Sequence, residues 1–158
     1  MDTLRRTKRR TGTATVEFAL VLPLLLALLF GIIEFGFLFK DQLAIQQSAR
    51  EGSRTAAVGR VRSEVNARIV GSAATLTPAN LTYDVMYRTY DGSTWSSYVT
   101  VGDRTDGSGQ NDAPQGAQIR VRTHYVHPFM TGALFANLVG RPGATSLTLH
   151  ATMAMRRE

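Results

Sequence analysis

Four oxygen-bearing side chains, Asp103, Asp106, Asn111 and Asp112, fall in the stretch GDRTDGSGQNDAPQG at residues 102–116. Oxygen ligands among glycines are the chemistry of a calcium site, but the spacing does not fit the twelve-residue helix-loop-helix motif, and acidic loops are more often simply solvated. His124 and His127 stand three apart in a segment that alternates like a strand, so they point to opposite faces and do not converge on a metal. The chain has no cysteine, which excludes a thiolate zinc site, a disulfide scaffold and a cysteine nucleophile. A serine elbow, a phosphate loop and an H-E-x-x-H pair are also missing from the sequence. The expectation is a protein that is not an enzyme and holds no cofactor, with no metal site beyond this weak calcium candidate.

The other residues that invite chemistry lie near the amino terminus, where residues 10–18 read RTGTATVEF. Gly12 leaves the backbone before Thr13 without a side chain, so a protease can approach and bend it. If the chain is cut there, Thr13 carries a free ammonium and Glu17 lies one helical turn away. An opposite charge about 4 Å away is worth up to about 4 kcal/mol at an effective dielectric of about 20, similar to the translocon-scale cost of a charge at the membrane centre. The partner can be the same chain's ammonium or a neighbour's; a blander reading leaves Glu17 in an interfacial first turn favoured by the helix dipole. Pro23 removes the hydrogen bond to the carbonyl of Ala19, so a kink or local unwinding is expected there. Ala27 and Gly31, four apart, form a small-xxx-small pair that permits close helix approach.

These residues are positioned by one apolar segment. From Phe18 to Phe39 the chain reads FALVLPLLLALLFGIIEFGFLF, whose only charge is Glu34 near the far end. As a helix of ~1.5 Å rise it reaches roughly 33 Å, enough to cross a hydrocarbon core about 30 Å thick. The net charge of +6 suggests nucleic-acid binding until it is divided by region. Five cations (Arg5, Arg6, Lys8, Arg9, Arg10) and Asp2 give the first twelve residues +4, which leaves only +2 for all the rest. With no basic stripe interleaved with aromatics, no nucleic-acid partner is expected. A basic tail before an apolar run instead keeps that end cytoplasmic and sends the chain after Phe39 to the outer face. A removed secretory signal peptide fits less well, since its apolar region is shorter and ends in a small-residue cleavage site, whereas this one ends in FGFLFKDQL.

Leader, glycine, glutamate and apolar run in this register resemble the class III signal of type IV pilins and pseudopilins, with Phe18 in the aromatic place after the glutamate. VEFALVLPLLLALLFGIIEFG and AREGSRTAAVG, together with YVHPFMTGALFANLVG and TSLTLHATMAMRRE near the end, look like the TadE-like family of the tight-adherence (type IVc) pilus system. The resemblance implies a cleaved leader at 1–12, a transmembrane helix at 13–39 and an extracytoplasmic head at 40–158. It also implies a prepilin peptidase acting after Gly12 on the cytoplasmic side. Further implied partners are major and minor pilins, an inner-membrane assembly platform and membrane lipid. Glu17 and Phe18 are the residues implied in assembly. The mature length of 146 residues suits a minor pilin of the bacterial cytoplasmic membrane that enters an extracellular pilus. The alternative is an unprocessed, single-span envelope binding protein.

The head is expected to be α+β and pilin-like, helical over 40–72 and strand-rich over 80–158. Ala49, Gly52, Ser53 and Ala56 form a small-residue helix face that invites a sheet, and Gly59 is a natural stop. Val65 and Ile69, four apart, suggest a short second helix over 63–70. Alternation predicts about four antiparallel strands, over 81–90, 95–101, 119–126 and 145–155, the first two joined as a hairpin at Asp91 and Gly92.

Overall fold

The computed structural model describes residues 11–138 and 140–158. The basic residues of the leader, and the topology expected from them, lie outside the described residues. Helix α1 (Thr11–Ala57) runs for 47 residues as one element. Apolar and small residues sustain it, and Pro23 sits inside continuous α-helical backbone. It stops at Gly59, whose φ of +88° is a conformation that only glycine takes without strain. The Gly59 amide donates to Ala56 O and the Arg60 amide to Thr55 O, the paired bonds of a Schellman end.

Helix α2 (Arg62–Ser72) follows with Val65 and Ile69 buried. Four strands complete the head: β1 (Leu81–Arg88), β2 (Val99–Thr100), β3 (Gln118–Pro128) and β4 (Ser146–Arg156). They form one antiparallel sheet in the order β2-β1-β3-β4. The strand after Asp91 is shorter than alternation suggests. Asp91 Oδ1 gathers the amides of Ser93 and Thr94, each at 2.8 Å, which tightens the turn. Trp95 keeps a single antiparallel bridge to Tyr90, and with Tyr98 it stacks on the Arg88 guanidinium at 4.5 and 4.8 Å, so regular pairing resumes only at Val99.

Helix and sheet meet along the small-residue face. Ile45, Ala49 and Ala56 pack with Val65, Ile69, Val85, Ile119 and Val121 in one core, each large aliphatic side chain of which contributes about 1.5–3 kcal/mol by burial. Thr123 Oγ1 donates to Ile45 O across this interface at 3.1 Å, a contact that needs the helix backbone close to the strand. Gly52 admits the close approach of α2 on the same face, since a Cβ placed on it would lie 2.4 Å from Ile69 Cγ1, while Val121 Cγ1 of β3 would stand at an ordinary contact distance of 3.5 Å. Gly52→Ala gains about 1 kcal/mol in helix propensity but forces apart a packed core, which typically costs about 1–3 kcal/mol. A net loss of stability is expected in thermal unfolding of the full chain in detergent, and it should shrink when Ile69→Ala is added. Unchanged or raised stability of Gly52→Ala alone would show that the contact is soft.

Between β3 and β4 lies an element that periodicity did not indicate, the short helix α3 (Ala133–Leu138). Phe135 and Ala136 join Leu38 and Phe129 in a second, smaller apolar cluster at the opposite end of the head from Gly59.

Candidate functional site

The first half of α1 turns apolar side chains outward on every side. Leu20, Leu24, Leu28 and Ile32 follow one face, while Val21, Leu25 and Leu29 follow another, and all are exposed. The 46 described residues from Gly12 to Ala57 contain an unburied window of mean hydropathy 2.6, long and apolar enough to cross a membrane. Gly12 and Thr13 fall in the first turn, where nothing lies within 4 Å of a Cβ built on Gly12. Glu17 and Phe18 are exposed, and among the described residues the Glu17 carboxylate has no hydrogen-bond or ion-pair partner. Pro23, Ala27 and Gly31 line a cleft that the head itself closes with Thr131, Phe135 and Asn137.

The second half of α1 carries a buried polar cluster. Glu34, fully buried, accepts the amides of Met130 and Thr131, each at 3.1 Å, and the Thr131 hydroxyl at 3.0 Å. The His127 ring bridges this carboxylate, 3.3 Å from Nε2, and Asp41 Oδ2, 2.7 Å from Nδ1. Glu34 and Asp41 are seven apart and therefore share a helix face, and His127 ends the inward-facing row of β3 that begins at Ile119. Phe35 and Phe135 meet edge-to-face above the cluster, with centroids 5.2 Å apart. Strand, loop and helix are thus tied at one point, so the head's grip on α1 reaches back to Glu34 and overlaps the 13–39 segment.

Residues 12–54 match the family model of TadE-like proteins. This stretch is similar to TadE-like proteins. It begins at Gly12 and ends within the last turn of α1, so the match covers the helix and none of the sheet. No curated protein and no solved structure matches the chain.

The acidic loop serves the far end of α1. The side chain of Asn111, fully buried, donates to Ala56 O at 2.9 Å and Arg60 O at 3.0 Å. Asp103 Oδ1 accepts the Arg62 amide at 2.6 Å, which caps α2 from outside. Asp112 Oδ1 accepts the Gly102 amide, and Asp106 accepts the Ser108 amide and faces Arg104. The bonds from Ser108 hold the Asp106 carboxyl below the usual carboxylate range. The Asn111 oxygen in turn accepts the Ala113 amide at 3.3 Å, so each of the four calcium candidates has a protein donor, and among the described residues no group of three or more acidic or histidine side chains is placed to hold a metal ion. Arg157 also reaches Ala56 O, and its guanidinium covers Gly59; burial, with the positive charge of Arg104 second, lowers its pKa.

His124 and His127 do face opposite sides. His124 meets His150 of β4 on the outer face, with ring centroids 4.7 Å apart. The sequence reading missed Glu34, Asp41 and His127 as a unit. The available signals were the seven-residue spacing of two carboxylates at the edge of an apolar run and the inward register of His127.

Proposed function

We propose that this chain is a minor pilin or pseudopilin of a tight-adherence pilus, cleaved after Gly12 by a prepilin peptidase. Its apolar stem enters the membrane and then the filament, and its α+β head lies outside the cytoplasmic membrane. The observation that carries this reading is the division of α1 into two environments. Its first half exposes apolar side chains all round, while its second half is the central element of the head's core. Such a helix suits a subunit that is first held in lipid and later packed among other stems. The TadE-like match supports the same reading, because it starts at the glycine of the expected cleavage site. Major and minor pilins and an inner-membrane platform are the partners this role requires.

Cleavage is tested by co-expression with a prepilin peptidase, followed by amino-terminal sequencing of the membrane-extracted protein. The expected result is a new terminus at Thr13 and a loss of roughly 1.5 kDa, as for a removed targeting segment. Gly12→Val should block the cut and leave insertion unchanged, because the apolar helix is untouched. An intact terminus under these conditions would leave the single-span envelope binding protein as the better reading.

A further inference from the structure

We propose that the β3–β4 connection is a second membrane-seated element, a re-entrant turn whose outer surface is covered by the acyl chains of one leaflet. This rests on the reading of α1 as a membrane span.

The first argument is its level. Glu34 holds Met130 and Thr131, and Phe135 lies against Phe35. The turn continues beside Phe30, Ala27 and Pro23, where it encloses a cleft of about 500 Å³. Ala27 lies about 18 Å before Phe39 along the helix at ~1.5 Å per residue, well inside the thickness of a hydrocarbon layer. A head that merely rested on the membrane surface would stop near Lys40.

The second argument is composition. FMTGALFANLV, residues 129–139, carries no charge, and Met130 is 68% exposed although it sits beside the apolar helix. The first charge afterwards is Arg141, which is exposed and long enough to reach an interface.

The third argument is the backbone. Irregular chain at membrane depth is tolerated only where its polar groups are satisfied internally. Here the amides of Met130 and Thr131 go to Glu34, that of Phe129 to Thr145 O and that of Gly132 to Phe129 O. On the return, the amides of Gly140, Arg141 and Ala144 find Asn137 O, Ala136 O and Arg141 O. A buried carboxylate is tolerated out of water only when its oxygens are hydrogen-bonded, and the Met130 and Thr131 amides with the Thr131 hydroxyl meet that need at Glu34.

The chain lacks cysteine, so single cysteines can report on each position. Met130→Cys and Asn137→Cys would carry nitroxide labels in the full chain, reconstituted in phosphatidylcholine–phosphatidylglycerol vesicles at several protein-to-lipid ratios. Leu28→Cys is the span control and Ser93→Cys the solvent control. Labels at 130 and 137 should collide with oxygen like the label at 28. Their collision with a water-soluble nickel chelate should be at least about tenfold slower than at 93, at every ratio, as for groups out of water. Nickel access like that at 93, with Leu28 still protected, would overturn the inference and leave the span intact. Protection that vanishes on dilution with lipid would also overturn it, and would assign the turn to the stem of a second copy. Nickel access at Leu28 itself would sink the reading on which the inference stands.

Discussion

Glu17→Ala is expected to insert and to be cleaved after Gly12 like the wild type, yet to fall at least about tenfold in sheared pili relative to the membrane pool, a factor that needs only about 1.4 kcal/mol. The argument starts from what the carboxylate lacks. It is exposed at the start of an apolar helix, and among the described residues no cation or donor approaches it. A carboxylate at the centre of a bilayer costs about 2.5–3.5 kcal/mol on insertion scales, and an ammonium about 4 Å away returns up to about 4 kcal/mol at intermediate dielectric. If a neighbour's Thr13 supplies that ammonium, the pair sets the axial stagger of adjacent stems, and its loss removes registry as well as energy. If the same chain supplies it, alanine at 17 makes the isolated helix slightly easier to insert and incorporation stays nearly normal. Quantifying cleaved mutant in sheared pili separates these outcomes, and wild-type incorporation would eliminate the intersubunit role.

The second large effect is expected at Glu34. Glu34→Ala leaves two backbone amides, a hydroxyl and an imidazole nitrogen without their acceptor, and each buried donor left unsatisfied costs about 1–3 kcal/mol. The loss should be local first. The amides of Met130 and Thr131 should exchange with solvent much faster, and the Phe35–Phe135 contact should loosen, while α2 and β1 stay protected. Glu34→Gln keeps one carbonyl oxygen in place and should fall between, and Asp41→Asn should be milder because, among the described residues, its carboxylate meets His127 and Lys40 alone. Hydrogen exchange of the full chain in detergent provides the check. Unchanged protection at Met130 and Thr131 in Glu34→Ala would show that the apolar cluster alone holds the turn.

Much of the architecture was legible because it is local. The apolar run, the small residues at 49, 52, 53 and 56 and the glycine at 59 each act within one helix, and alternation marks strands without reference to their neighbours. The Glu34 cluster is different, since its partners lie 93 to 97 residues away and only the return of β3 toward the stem brings them together. For α3, an eleven-residue uncharged run is equally compatible with helix or strand, and its packing against Leu38 decides the matter. Asn111 was read with its acidic neighbours as an oxygen ligand. Its amide nitrogen, which no calcium site uses, donates to the carbonyls at the end of α1, and its oxygen accepts the Ala113 amide. Glu17 stands as the converse case, since the sequence marks the residue and its partner is not among the described parts of one chain.

The unbroken course of α1 through the point where stem becomes head removes any swivel between them. The compass bearing of the sheet is therefore geared to the rotation of the stem. One residue added between Phe18 and Pro23 would turn the whole head by about 100° and raise it by ~1.5 Å relative to Glu17. A filament whose stems are locked at Glu17 would then present the outer sheet face, with its stacked Arg88, Trp95 and Tyr98, at a fixed azimuth on every copy.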